Sequence, residues 1–280
     1  MMHNSKAYEL KAENIFTPEQ IEHILTAANR TGELTGKPWT YVSFVGIDPS
    51  INSTGLTSIG LSVVNSNEII LDVKHAIIPP VKFETRPYVT CMDYEKTLHA
   101  NRTNTELENA RLHNFQAIAE ISKMFVGQQV ALMAVGIEGL SYNARSGKRN
   151  SSSNVYDLAG LNTLIRDRVT LYLEQLKYNG HGVREFVASY PPKTVKAGFI
   201  HGNADKHLMY KTFERDYGFV EDDQVSWPII KRGTNESYLF DVADSYAIAK
   251  REMFGWLDAN VFPPPPPKVR KPRKKKTDNE

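Results

Sequence analysis

Cysteine is almost absent from this chain of 280 residues, in which Cys91 stands alone. One cysteine cannot form an intrachain disulfide, and it cannot supply a zinc site built from cysteine ligands. A globular chain without disulfides is typical of a reducing compartment. We therefore expect a cytoplasmic protein.

Long apolar runs are absent as well. No segment approaches the roughly 20 consecutive apolar residues that a membrane-spanning helix needs. The first fourteen residues lack the apolar stretch of a secretory signal peptide. Hydrophobic residues make up 41% of the chain and charged residues 24%. This composition is that of a folded globular protein and excludes disorder throughout.

Acidic residues are scarce at the C-terminus. Positions 268–280 carry seven Lys or Arg residues and two Asp or Glu residues, which leaves 27 basic and 30 acidic residues elsewhere. Five prolines, Pro263–Pro267, precede this basic segment and predict an extended spacer. We expect a disordered tail that acts as an electrostatic arm for nucleic acid, with a merely solvating tail as the alternative.

A helix is predicted to begin near residue 18. Thr17 is a suitable N-cap, Pro18 occupies the first helical position and Gln20 the third, which together form a capping box. Ile24 and Ala28 then fall on one face, so we expect the helix to pack against the main domain.

Strand and helix patterns alternate through the rest of the chain. The predicted strands cover 41–47, 56–64, 68–78, 130–137 and 185–190, and the predicted helices cover 105–126, 155–178, 204–217 and 239–254. This order predicts a mixed α/β sheet flanked by helices. We divide the chain into an N-terminal extension (1–40), a main domain (41–258) and a proline- and lysine-rich tail (259–280).

Two of the buried strands end at a carboxylate. Asp48 follows Val-Gly-Ile, and Glu138 follows the same three residues. On adjacent strands these side chains would lie together, and two carboxylates about 4 Å apart repel by roughly 4 kcal/mol at an effective dielectric constant of 20. A divalent cation such as Mg²⁺ or Mn²⁺ would remove this repulsion. Two acids that only cap nearby amides would give the same pattern.

The last predicted helix adds a second pair of acids. Asp241 and Asp244 are three residues apart and so share one helix face. Such a pair often complements the helix dipole. Together with Asp48 and Glu138, however, the pair gives four carboxylates, which could hold two cations.

These motifs resemble those of the RuvC-like Holliday-junction resolvases, which have an RNase H-like fold. The resemblance lies in Gly46-Ile47-Asp48-Pro49-Ser50, in the strand-end Glu138, and in Asp241-Val242-Ala243-Asp244-Ser245, where the family typically has Ala at the last position. It spans roughly residues 41–252. It implies an RNase H-like mixed sheet with Asp48, Glu138, Asp241 and Asp244 as catalytic ligands of two Mg²⁺ ions, and Mn²⁺ would substitute.

The resemblance also implies an activity and partners. It predicts a metal-dependent endonuclease that resolves Holliday junctions or other branched DNA by paired nicks, acts as a homodimer and leaves 5′ phosphates. A phage- or virus-encoded member would work in the cytoplasm of the host.

Further positions match the DNA-contacting parts of the family. Tyr142 corresponds to an aromatic residue in a junction-contacting loop, and the basic residues after it are Arg145, Lys148 and Arg149. A lysine-bearing region before the last helix has counterparts in Lys193, Lys196 and Lys206. These residues are the predicted DNA-binding residues. Ordinary solvated lysines and an ordinary surface loop are the alternatives.

Two other functions are compatible with parts of the pattern. A non-catalytic branched-DNA-binding protein could keep the fold, but it would be expected to lack one acid, and all four are present. An actin-like or sugar-kinase-like ATPase would need a second glycine-rich phosphate loop, for which the sequence has no convincing candidate.

Overall fold

The structure is a computed structural model. It describes residues 8–35, 41–82, 84–86, 88–97, 103–139, 152–178, 183–184, 186–217 and 237–264. The predicted DNA-contacting loop with Tyr142, Arg145, Lys148 and Arg149 lies outside these residues, and so does the basic segment 268–280.

Seven strands and seven helices form the described part of the chain. The strands are β1 (Tyr8–Lys11), β2 (Val42–Asp48), β3 (Thr54–Val64), β4 (Glu68–Ile78), β5 (Val89–Cys91), β6 (Leu132–Glu138) and β7 (Ala188–Tyr190). The helices are α1 (Ala12–Ile15), α2 (Pro18–Thr35), α3 (Asn104–Gly127), α4 (Ser152–Tyr178), α5 (Pro192–Phe199), α6 (Lys206–Asp216) and α7 (Tyr238–Asn260).

The strands form one mixed sheet in the order β1-β4-β3-β2-β6-β7, with β5 also paired to β4. β3 is antiparallel to both β2 and β4, whereas β6 and β7 continue the sheet in parallel with β2. The predicted α/β class, a mixed sheet flanked by helices, is therefore confirmed.

Alternation along β2 separates two hydrophobic cores. Val42 and Phe44 face a core that includes α7 and α2, whereas Val45 and Ile47 face a core formed with α3 and α4. This is the two-residue period of a strand that is covered on both faces. The sheet is therefore covered on both faces at β2.

The N-terminal residues take part in the main sheet. β1 pairs with β4 at one side of the sheet, and α2 packs Ile24 and Ala28 into the core beneath α7. The capping box predicted at α2 is present, because Thr17 Oγ1 accepts from the Gln20 amide and Gln20 Oε1 accepts from the Thr17 amide. In the described part of the chain, no helix combines the length and the apolar character that crossing a bilayer requires.

Candidate active site

Asp48 and Glu138 meet at one end of the sheet. β2 and β6 are parallel neighbours in the register Gly46 to Gly136 and Ile47 to Ile137, so each strand reaches its carboxylate at the next residue. Both side chains lie on the face that α7 covers, because they follow the alternation of the strands. The two carboxyl groups are close enough that each affects the pKa of the other. The predicted side-by-side placement of these two acids is what the structure shows.

Glycines in the sheet let α7 approach closely. A Cβ atom on Gly46 would stand 2.1 Å from the carbonyl oxygen of Ser245, and one on Gly55 would stand 2.2 Å from the carbonyl oxygen of Asp241. Since real Cβ atoms do not approach other atoms so closely, only glycine allows α7 to lie directly on β2 and β3 at this point. The first turns of α7 thereby bring Asp241 and Asp244 to the strand-end acids.

Burial disfavours ionisation of all four acids, and neighbouring carboxylates add to the effect on Asp48, Glu138 and Asp241. Burial raises the pKa of Asp48 well above its usual value, and the charges of Glu138, Asp244 and Asp241 raise it further. Burial, with the charge of Asp244, raises the pKa of Glu138 to about 7. The pKa of Asp241 is also about 7, mainly because it is buried. Burial raises the pKa of Asp244 as well. Each of the four acids is therefore harder to ionise in the folded protein than in water.

Two lysines offset part of this charge. Lys206, the first residue of α6, places its Nζ 3.9 Å from Asp241 Oδ1. Burial opposes the charged form of Lys206, but the carboxylates, Asp241 foremost, raise its pKa. Lys196 on α5 lowers the pKa of Glu138 and of Asp244. Both lysines therefore act electrostatically on the carboxylates.

The loop between β2 and β3 is held by its own side chains. Thr54 Oγ1 donates to the carbonyl of Ser50 at 2.7 Å and accepts from the amide of Ser50 at 3.2 Å. Ser53, which sequence reasoning did not single out, lies beside Asp241 and lowers its pKa, although its geometry falls short of a full hydrogen bond. The motif from Gly46 to Gly55 thus shapes the rim of the site as well as supplying Asp48.

The donor set fits a hard divalent cation. Asp48 and Asp244 are buried and offer only oxygen atoms, and the charges of Glu138, Asp244 and Asp241 add to burial in raising the pKa of Asp48. Oxygen-rich, negatively charged sites select Mg²⁺ or Mn²⁺. Within the described residues, no three His, Cys, Asp or Glu side chains already stand in a metal-ligand arrangement. The four carboxylates are thus near enough to act on one another electrostatically, without a preformed set of three ligands among the described residues.

The remaining predicted site residue in the described part is Lys193, which is exposed on α5. Sequence reasoning did not predict α5 as a helix, although Pro192 at its first position is a recognisable start signal. This helix places Lys196 near the carboxylates and leaves Lys193 on the outer surface.

Comparisons with known proteins give similar structures. No family model matches the chain, and no curated protein matches it in sequence. In structure it is similar to RuvC of Thermus thermophilus, with 18% identity, a TM-score of 0.38, and coverage of 79% of this chain and 99% of that one. It is also similar to the yeast mitochondrial Holliday junction resolvase Ydc2, with 13% identity, a TM-score of 0.34, and coverage of 83% and 90%.

Proposed function

We propose that this chain is a divalent-metal-dependent endonuclease that cuts four-way DNA junctions and related branched DNA. One observation carries the proposal, namely that β2, β6 and α7 bring Asp48, Glu138, Asp241 and Asp244 to one end of the sheet, with Lys196 and Lys206 beside them. Buried carboxylates that raise one another's pKa are costly for folding. Such an arrangement is common where a functional cation supplies the missing charge.

The four carboxylates would hold two Mg²⁺ ions, and Mn²⁺ would substitute. When bound, such ions lower the pKa of a water molecule and neutralise charge on a phosphate. Asp48 and Glu138 supply ligands from rigid strand ends, whereas Asp241 and Asp244 supply them from the first two turns of α7. Placement on regular elements keeps the ligands in a fixed mutual geometry.

The two lysines would bind the phosphate of the cut strand. Lys206 is about half exposed, at 48% of its side chain, while its Nζ stays within 4 Å of Asp241. An oxygen of a phosphate could therefore approach Lys206 from solvent without first displacing a buried group. Lys196 lies near the same carboxylates, so the positive charge converges where the phosphate would bind.

Other predicted DNA contacts would extend from this centre. Lys193 on the exposed side of α5 would contact the phosphate backbone. Tyr142 would stack on an unpaired base at the junction, with Arg145, Lys148 and Arg149 on the neighbouring phosphates. Phosphate contacts position a nucleic acid, whereas a stacking aromatic residue favours unpaired bases over intact duplex.

Resolution of a four-way junction needs two symmetric cuts, so we propose a homodimer with two-fold symmetry. Each protomer would cut one strand and leave a 5′ phosphate and a 3′ hydroxyl.

The test is cleavage of a labelled four-way junction beside a linear duplex of the same arm sequence, with Mg²⁺ and with a chelator. We expect paired nicks near the branch point, dependent on Mg²⁺, and little cutting of the duplex. Tight junction binding without cleavage in Mg²⁺ or Mn²⁺ would instead favour the non-catalytic branched-DNA-binding protein.

A further inference from the structure

A buried histidine on β4 is linked by hydrogen bonds to the helices that carry site residues, although it is not one of the four acids or the two lysines of the site. His75 lies on β4, fully buried, directly opposite Thr57 on β3. Its Nδ1 is 2.8 Å from Thr57 Oγ1, and its Nε2 is hydrogen-bonded to the hydroxyl of Tyr217 at the end of α6. Thr57 Oγ1 is in turn 2.8 Å from Ser245 Oγ on α7. We call Thr57, His75, Tyr217 and Ser245 the His75 network.

The direction of every hydrogen bond in this network follows from its last member. Ser245 Oγ lies 2.9 Å from the carbonyl oxygen of Val242, and a carbonyl can only accept, so the serine proton is used there. Thr57 must then donate to Ser245, because a hydroxyl has one proton. With its proton committed, Thr57 must accept from His75 Nδ1.

The histidine is neutral, since burial lowers the pKa of His75 to about 3. A neutral ring that donates from Nδ1 has no proton on Nε2, so Nε2 accepts from Tyr217. The chain of donors thus runs one way from Tyr217 through His75 and Thr57 to Ser245 and ends on the Val242 carbonyl. Aromatic rings enclose the histidine, with the Phe213 ring 5.4 Å away and the Tyr246 ring 6.3 Å away.

The two ends of the His75 network lie at the two helices α6 and α7, which carry site residues. Tyr217 follows α6, which begins at Lys206, and Ser245 directly follows Asp244 on α7. Val242, the final acceptor, directly follows Asp241. The sheet strands β3 and β4 therefore fix α6 and α7 relative to each other through hydrogen bonds of defined direction.

We propose that His75 is a positioning residue that, as a single Nδ1–H tautomer, sets the placement of Asp241 and Asp244 for cation binding. This inference rests on the proposed function only for the role of the bound cation in DNA cleavage. Removal of a residue that orients metal ligands without contacting the metal typically lowers metal affinity or activity by about 10- to 100-fold.

The test uses Thr57, because its variants change one hydroxyl in the middle of the chain. Thr57→Val keeps the shape of the side chain and removes the link, whereas Thr57→Ser keeps the hydroxyl. The contact between Lys250 and Asp216, at 2.6 Å, also joins α6 to α7 and remains in both variants. Thermal unfolding of each variant sets an assay temperature at which all proteins are folded.

We expect Thr57→Val to raise the Mn²⁺ concentration for half-saturation about tenfold, measured by electron paramagnetic resonance of free Mn²⁺ and by cleavage. Junction binding in a chelator should change less than twofold, and Thr57→Ser should behave nearly as the parent. In ¹⁵N-histidine NMR spectra, the signal lost in His75→Asn should be that of a ring protonated at Nδ1 and slow to exchange with water.

Unchanged Mn²⁺ affinity in folded Thr57→Val would overturn the positioning role, and a ring protonated at Nε2 would overturn the assigned chain. Failure of the proposed function has a different signature. If the parent protein binds Mn²⁺ but cuts no branched DNA, the nuclease proposal fails, while the metal-affinity and NMR results still decide the role of His75.

Discussion

At the scale of single residues, the four buried acids of the site lower the stability of the folded, metal-free protein when they ionise. Glu138 and Asp241 have pKa values of about 7, whereas carboxyl groups in an unfolded chain titrate near 4. The folded, metal-free protein therefore binds more protons than the unfolded chain up to about pH 7. By linkage, its stability must fall as the pH rises through this range.

We expect this fall to be visible between pH 6.5 and pH 8 without metal. Ionisation of Glu138 and Asp241 across this interval should cost on the order of 1–2 kcal/mol, or about 3 °C in melting temperature. Saturating Mg²⁺ should raise the melting temperature and flatten the slope, because the cation stabilises the ionised carboxylates. Differential scanning calorimetry in both conditions measures the effect.

The pH interval is chosen because of His75. Its pKa is lowered by burial, so its contribution to stability is lost as the pH falls below about 6.5, the opposite sign to that of the carboxylates. Glu138→Gln should reduce the alkaline slope and serves as a control. A metal-free melting temperature that is constant or rises from pH 6.5 to pH 8 would contradict the electrostatic description of the site.

Single residues also show where sequence reasoning succeeds. Asp48 and Glu138 could be predicted as neighbours because each ends an apolar strand. An unpaired carboxylate at such a position is costly to remove from water, so each needs a partner or a cation. Thr57 and His75 could not be predicted as parts of a network. Their partners, Ser245 and Tyr217, are more than 140 positions away in sequence, and only the packing of α6 and α7 brings them together.

At the scale of elements, the site depends on the contact between α7 and the sheet. Gly46→Ala would place a Cβ atom 2.1 Å from the Ser245 carbonyl oxygen and 2.4 Å from the Ala249 amide nitrogen. Backbone atoms of a packed helix cannot move aside cheaply. We expect a loss of about 3 kcal/mol or more in the free energy of unfolding, measured by urea denaturation, with weakened metal binding.

Gly255→Ala is the matched control on α7 itself. A Cβ atom at Gly255 would meet no described atom within 4 Å, and alanine is the better helix former. This variant should be more stable by about 0.5–1 kcal/mol. If Gly46→Ala unfolds at the same urea concentration as the parent, the close packing of α7 on β2 is wrong.

The long elements were predictable from the sequence, and so was the short strand β7, whereas β1, β5 and α5 were not. The periodicity of α3, α4 and α7 and the apolar runs of β2 and β6 carry enough residues to identify each element. β1 and β5 have four and three residues, which is too few for any pattern, and pairing with β4 defines them. α5 was missed because its eight residues contain few apolar positions.

At the scale of the whole molecule, charge is separated along the chain. Truncation after Phe262 removes all seven basic residues of the tail from an otherwise slightly acidic protein. If these residues contact phosphates, each contact contributes about 0.9 to the slope of log affinity against log salt. We expect weaker DNA binding at low salt and a shallower slope, with the same cut positions and little change in the preference for junctions.

The control keeps the length of the tail and replaces its Lys and Arg residues with Gln. It should behave as the truncated protein does if charge is responsible. Fluorescence anisotropy on junction and duplex across a salt series distinguishes the outcomes. Unchanged slopes would show that the tail only solvates the terminus, and a selective loss of junction binding would show that it recognises branched structure.

The central claim is that the four carboxylates form the active site of a nuclease that cuts branched DNA. Its most direct test is to measure cleavage and binding of one four-way junction by Asp48→Asn and Glu138→Gln, beside the parent and Asp205→Asn. Asp205 is the exposed N-cap of α6, a position where asparagine caps as well as aspartate. We predict that both site variants bind the junction with nearly parental affinity and lose cleavage at least a hundredfold, while Asp205→Asn cuts normally. Near-parental cleavage by folded Asp48→Asn or Glu138→Gln would contradict the account.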